Sequence, residues 1–227
     1  MRLFTLLAAV AAALPLPAAA VTLSILITGD RVEPDPADVP GGVRQVEARI
    51  TATLTADPEP VSFFPEFLNF AEPAEIALTF FDANGVVLGQ NRVQNAVFGV
   101  FDDVTDITPF VLDGITISGA LDTPFEGQPE FFIGFDAADD FFEGPPDLIT
   151  FVTRITAPDA AAALLPDISD AVQVFRAGST STPAGDPGPP PSEFAATSFS
   201  ATVVPLPAPA FLLLAALGTL ALVRKRA

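Results

Sequence analysis

The stretch VEARITATL, from Val46 to Leu54, alternates strictly between apolar and polar side chains. Successive side chains of a β-strand point to opposite faces, so this period of two predicts a strand with one buried face. The predicted inner face carries Val46, Ala48, Ile50, Ala52 and Leu54, and the outer face carries Glu47, Arg49, Thr51 and Thr53. A strand that is polar on one side is typical of an antiparallel sheet with one wet face.

The same pattern recurs along the chain, separated by loops rich in Pro, Gly and Asp. Asn84-Gly85 lies between two apolar runs and predicts a hairpin. Only 158–166 (PDAAAALLP) favours a helix, of two turns begun by Asp159. About ten short strands predict an all-β domain, an antiparallel β-sandwich or jelly-roll-like fold over 21–203. The further predicted strands are 22–28, 75–81, 86–89, 92–101, 115–121, 130–135, 148–155, 172–176 and 194–203.

Composition excludes several functions. The chain has no Cys and no His, so the usual zinc, haem and iron–sulfur sites and a Ser-His-Asp triad are ruled out. All 28 acidic residues lie between Val21 and Val203, where only six arginines oppose them, a formal charge of −22. Such a surface repels phosphate backbones, which argues against nucleic-acid binding.

The N-terminus has the architecture of a secretory signal peptide. One cation, Arg2, precedes the apolar stretch 3–13, and Ala18 and Ala20 satisfy the small-residue rule for cleavage. We therefore predict a signal peptide over 1–20 and a mature chain that begins at Val21. The alternatives are a buried N-terminal helix and an uncleaved anchor, for which the apolar core is short.

The C-terminus predicts a membrane segment. Residues 203–223 carry no charge, and about 20 apolar residues cross a bilayer. Prolines crowd the start of this run, so the transmembrane helix is expected over 210–223. Arg224, Lys225 and Arg226 follow and should remain cytoplasmic, which places the domain on the outer side of the membrane. A plain tail anchor would account for the apolar run and the cations.

The order of these features resembles a known sorting signal. VPLPA, a short apolar helix and a terminal basic cluster resemble the PEP-CTERM type of C-terminal signal in its VPLPA variant, carried by exosortase substrates of Gram-negative bacteria. The resemblance covers only 204–227, and such tails follow many unrelated domains. It implies processing by an exosortase-like membrane enzyme, in addition to signal peptidase, and residence at the cell surface or outside the cell. The sorting residues would be Val204, Pro205, Leu206, Pro207, Ala208, Arg224, Lys225 and Arg226.

Two acidic clusters are the candidate metal ligands. Loop carboxylates suit hard cations such as Ca²⁺, although neither cluster reproduces a known calcium-loop spacing. The alternative is that they are solvated turn residues. The clusters contain Asp102, Asp103 and Asp106 in the first, and Asp136, Asp139, Asp140 and Glu143 in the second.

The sequence leaves the activity of the domain open between two classes. The leading hypothesis is a non-enzymatic, exported protein with a structural or interaction role in the envelope or extracellular matrix. The alternative is a Ca²⁺- or carbohydrate-binding module with the same routing, for which an extracellular polysaccharide is a candidate partner. Paired carboxylates can also cleave glycosides, but sugar sites usually contain Trp or Tyr, and this chain has neither. Residues 179–193, rich in Pro and Gly, are expected to form a long loop or a stalk.

Overall fold

The alternating stretch forms the central strand β2 (Gln45–Leu54), and its predicted inner face is buried throughout. β2 pairs antiparallel with β1 (Val21–Glu33) on one side and with β5 (Ala74–Phe81) on the other. The register aligns Ile25, Ile50 and Ile76 across the three strands, and each is at most 2% exposed. Burying an aliphatic side chain of this size stabilises a fold by about 1.5–3 kcal/mol, so this row fixes the register.

The structure is a computed structural model, and it describes residues 20–34, 42–62, 64–104, 112–138, 141–142, 144–164, 174–177 and 192–204. Besides β1, β2 and β5, it contains seven strands and two helices in these ranges. They are β3 (Glu59–Val61), β4 (Phe64–Asn69), β6 (Val87–Val104), β7 (Leu112–Phe125), β8 (Gln128–Ala138), α1 (Leu148–Ile155), α2 (Ala160–Leu164), β9 (Val174–Ala177) and β10 (Ser192–Val204).

The strands form one antiparallel sheet that curls around a single core. Their order is β3-β4-β6-β5-β2-β1-β10-β9-β8-β7, and an additional β6–β7 pairing joins the end of this series back to β6. The strands from β6 round to β7 therefore make a closed circuit of eight, with β4 and β3 attached outside it. Buried side chains from the circuit and both helices form one hydrophobic cluster. The prediction of a mostly antiparallel β domain is confirmed, but the strands are hydrogen bonded into one sheet and not into two separate sheets.

Two β-bulges allow the sheet to curl. In β6 the buried side chains belong to odd-numbered residues up to Val93 and to even-numbered residues from Ala96. Asn95, which lies at this change, has a φ of +55°. In β10 the buried side chains belong to even-numbered residues up to Ala196, and the next buried one is Phe199. The register of the partner strand β1 shifts at the same level, after Thr28. A bulge adds one residue to one strand and bends it, so each long strand turns while its apolar side chains still face the core.

One predicted strand is a helix. Residues 148–155 form α1, whose buried side chains are Leu148, Phe151 and Ile155, at helical spacing. Asp147 caps the helix: its carboxylate accepts a hydrogen bond from the backbone N–H of Thr150 at 2.6 Å. The Phe151 ring packs 5.0 Å from Phe70 and 5.4 Å from Phe98, measured between centroids. Capping and this aromatic contact stabilise a helix in a segment whose composition also suits a strand.

Other boundaries also differ from the sequence-based prediction. The predicted strands 86–89 and 92–101 are one strand, β6, and the short strands β3 and β4 were not predicted. The predicted helix within 158–166 is confirmed as α2, and Gly85 adopts a φ of +76° in the predicted hairpin between β5 and β6.

The region predicted as a loop or stalk lies between two residues that are paired in the sheet. Ala177 at the end of β9 and Ser192 at the start of β10 are paired residues, so 178–191 connect two neighbouring strands. Ser192 and Glu193, which the prediction assigned to this region, belong to β10.

Residues 1–19 of the predicted signal peptide and the whole of the predicted transmembrane helix, 210–223, lie outside the described residues. Within the described ranges, no helix has the length and apolar character needed to cross a bilayer.

Candidate functional site

Three of the seven acidic residues predicted from the sequence lie near the ends of β6 and β8. The backbones of Asp102 and Asp103 belong to β6 and that of Asp136 belongs to β8, while their side chains lie outside the described part. Asp106, Asp139, Asp140 and Glu143 lie outside it entirely. Among the side chains that the structure describes, no group of three potential ligands is arranged to hold a metal ion.

The topology nevertheless brings the two acidic segments to the same end of the sheet. β7 lies between β6 and β8, and its Gly114 is paired with Phe101 on one side and Asp136 on the other. The neighbouring Asp113 is fully buried and accepts a hydrogen bond from the backbone N–H of Phe142 at 2.7 Å. Nothing in the local sequence pattern distinguishes Asp113 from a turn residue, so its burial could not be predicted.

A second feature lies on the outer face of the sheet, which we name the Ala77 patch. It is a grid of three residues from each of β2, β5 and β6, with Ala77 at its centre. Arg49 is paired with Ala77 across β2 and β5, and Ala77 is paired with Arg92 across β5 and β6. The patch consists of Glu47, Arg49, Thr51, Glu75, Ala77, Thr79, Gln90, Arg92 and Gln94, and seven of these are exposed and two half-buried.

The small central residue makes the patch concave. Ala77 is surrounded by longer polar side chains, and depressions of about 400 Å³ adjoin it on both sides. One is lined by Arg49, Thr51, Glu75 and Gln94, and the other by Thr79, Gln90 and Asp122. The lining of both depressions offers hydrogen-bond donors and acceptors.

The bulge in β6 extends this concave surface. Asn95, at the bulge, lines both the depression beside Ala77 and a third one of about 400 Å³ on β6, β7 and β8. The third depression contains the partly exposed ring of Phe132, the exposed Val97 and the carboxylate-bearing Glu130. A track of polar side chains with an apolar end thus runs across the sheet.

The arginines of the patch differ from two other arginines of the domain. Arg31 is fully buried and its Nη2 lies 2.6 Å from the Glu126 carboxylate, while Arg154 donates to Asp159 at 3.0 Å and lies over the Phe141 ring. The Arg49 side chain is 60% exposed, and its Nη2 lies 3.1 Å from the carboxylate of Glu47 on the same strand. In the described part of the chain the guanidinium of Arg92 makes no ion pair.

Among the described residues, two carboxylates have a pKa below the ordinary value, and both have a structural role. The backbone N–H of Val86 donates to Asp82 and lowers the pKa of this carboxyl in the β5–β6 turn. The backbone N–H of Thr150 lowers the pKa of Asp147 at the start of α1. Hydrogen bonds to the charged form cause both shifts, so neither group is a candidate acid catalyst at neutral pH.

The sequence alone did not identify the patch. It placed Arg49 on the outer face of a strand, but it could not reveal that Arg92 lies two strands away in the same row. No signal in the sequence distinguishes these two arginines, because Arg154 and Arg176 also lie on predicted strands. Comparison of the chain with protein-family models, curated proteins and solved structures finds no match.

Proposed function

We propose that this chain is an exported, C-terminally sorted protein with a non-enzymatic structural or interaction role in the envelope or extracellular matrix. Residues 1–20 act as a signal peptide and 204–227 as a sorting signal with a transmembrane helix over 210–223. Signal peptidase removes the first, and an exosortase-like enzyme cleaves near 204–208.

One observation carries this proposal. Within the described residues the sheet runs from Val21, the predicted start of the mature chain, to Val204, the first residue of the predicted sorting motif. These ends are neighbours, because Thr22 is paired with Val204. Cleavage at either site would therefore leave every described strand intact, as a separable signal requires. The prolines that follow Val204 keep the backbone extended and accessible to a processing enzyme.

The test is a size and fractionation blot in the native host. We expect the wild-type protein to be shortened by its C-terminal helix and basic tail. Pro205→Ala combined with Pro207→Ala should accumulate at full length in the membrane, because the motif would lose the fixed φ that favours an extended backbone, and alanine favours helix over proline by about 3 kcal/mol per residue. Pro183→Ala combined with Pro187→Ala, outside the motif and distant from the helix in sequence, is the matched control. Equal sizes and fractionation of the wild type and the double variant would contradict the sorting proposal and indicate that the C-terminal segment is a plain membrane anchor.

A second candidate function is that of a carbohydrate- or Ca²⁺-binding module with the same routing. The Ala77 patch favours the carbohydrate part, because amide, hydroxyl and guanidinium groups around a concave surface suit a ligand with many hydroxyls. Calorimetric titration of the exported protein with a glycan panel and with Ca²⁺ tests this role. Saturable binding of either ligand would support the binding-module function. No heat of binding with the glycans or with Ca²⁺ would favour the structural role.

A further inference from the structure

We propose that the sorting enzyme acts on this protein only after Val203 and Val204, the last two residues of β10, have detached from β1. This inference rests on the sorting function proposed above and adds a conformational step that controls it.

The first argument concerns the place where the motif begins. Val204 is the first residue of the predicted sorting motif and also the last residue of β10. Its partner Thr22 lies inside the sheet, because Thr22 is also paired with Thr53 of β2. Cleavage of a chain requires backbone that is exposed and free of competing hydrogen bonds. The start of the motif does not meet this condition while β10 is paired along its whole length.

The second argument concerns reach. Only five residues, 205–209, separate the end of β10 from the start of the predicted transmembrane helix at Ala210. An extended chain spans at most about 3.6 Å per residue, so these residues bridge no more than about 18 Å. An enzyme that surrounds the motif must fit between the folded domain and the membrane within this span. Release of Val203 and Val204 adds about 7 Å of free chain ahead of the remaining motif residues.

The third argument concerns the cost of opening. Val203 and Val204 are 46% and 40% exposed, so their detachment removes little apolar surface from the core. Phe199, earlier on the same strand, is buried, and its ring centroid lies 5.5 Å from that of Phe135. Because a strand end opens at a lower free energy than the core, opening stops before Phe199. The end of β10 can therefore detach for processing while the domain stays folded.

A disulfide across the two strands tests this step. Thr22→Cys combined with Val204→Cys places two cysteines at paired positions, in a chain that has no cysteine of its own. Directly paired residues of antiparallel strands are about 4.5–5.5 Å apart between Cα atoms, which suits a disulfide. The measurement is a pulse-chase blot of the full-length and shortened forms in the native host, with and without dithiothreitol.

We expect the oxidised variant to be processed at least about 10-fold more slowly than the same variant kept reduced, because only the opened end is cleaved. The matched control is Thr28→Cys combined with Ser198→Cys, a pair farther along the same two strands. Its disulfide leaves the end of β10 free, so oxidised and reduced forms should both be processed at the wild-type rate.

A spacer tests the same step without cysteine. Gly-Ser-Gly-Ser inserted between Val203 and Val204 separates the motif from the sheet, so processing should be several-fold faster than in the wild type. The same spacer inserted after Gly185, between β9 and β10, should leave the rate unchanged.

Equal processing of the oxidised and reduced forms of the Thr22 and Val204 variant would overturn the inference. If the change at Val204 itself prevents processing of the reduced form, the spacer decides, and a wild-type rate for the spacer variant would overturn the inference. A wild-type protein that is never shortened would instead contradict the sorting function on which the inference rests.

Discussion

Arg31 is a cation enclosed at one end of the core, and a single carboxylate balances it. Its side chain has no exposed surface, and Glu126 reaches it from the turn between β7 and β8. Ser192 donates to the other oxygen of the same carboxylate, and the Phe194 ring lies 5.2 Å from the guanidinium. Within the described residues, Nε and Nη1 of Arg31 have no hydrogen-bond acceptor. The charge of Glu126 is therefore the main compensation for burying this group.

Glu126→Gln should destabilise the domain by about 3 kcal/mol, because removal of one partner leaves a buried charge uncompensated. We choose the lower end of the range because Glu126 is itself 35% exposed. Urea unfolding of the purified protein measures the loss. Adding Arg31→Met should recover part of it, since the second change removes the unpaired charge.

The matched control for this prediction is Glu47→Gln, which breaks the exposed pair with Arg49 and should cost less than about 1 kcal/mol. Equal effects of Glu126→Gln and Glu47→Gln would contradict the importance of the buried charge.

At the level of elements, substitutions in 148–155 can test whether this segment is a helix or a strand, because the two structures bury different residues. In a strand Ile149 and Phe151 would lie on one face. In α1, Phe151 is fully buried and Ile149 is 76% exposed. Phe151→Ala should therefore cost about 3–5 kcal/mol, and Ile149→Ala should be nearly neutral. Similar losses for the two variants in denaturant unfolding would contradict the helix.

The cap of α1 gives a pH prediction. Because the hydrogen bond from Thr150 lowers the pKa of Asp147 below its ordinary value of 3.8, the cap stabilises the fold above that pH and loses this effect as the carboxyl is protonated. The melting temperature of Asp147→Ala should thus fall below that of the wild type at neutral pH. The difference should shrink as the pH falls below 3.8. Asp147→Asn retains a capping oxygen and should reduce the neutral-pH difference, so no such recovery would argue against capping.

The sequence was most informative where a pattern is local. Strict alternation predicted β2 and β5 closely, because the period of two belongs to one strand. The prediction divided β6 at the polar residues Gln90 and Asn91, and it did not detect the bulge at Asn95, which exchanges the two faces within a continuous strand. It misassigned 148–155 because eight residues are too few to separate the two periods without knowledge of the Asp147 cap. The Ala77 patch could not be predicted, since it depends on the register among β2, β5 and β6, which is set by the whole sheet.

At the level of the whole molecule, the excess of negative charge destabilises the folded domain. Between the two termini, 28 acidic residues face six arginines, so the folded domain repels itself at neutral pH and low ionic strength. Added NaCl should raise the melting temperature by screening this repulsion, with about 2–4 °C for each kcal/mol gained.

Calcium distinguishes screening from binding at the acidic segments beside β6 and β8. If those segments form a divalent site, CaCl₂ should raise the melting temperature more than NaCl at the same ionic strength. Equal effects of the two salts would argue that the acids are solvated turn residues.

The pairing of β1 with β10 also determines when this protein can fold. Thr22 and Val204 are partners although 182 positions separate them. A growing polypeptide therefore makes β1 long before it makes β10, one of the two neighbours of that strand. Until β10 has been synthesised, β1 keeps an open edge and the circuit of strands cannot close. Closure of the circuit must therefore follow the synthesis of β10.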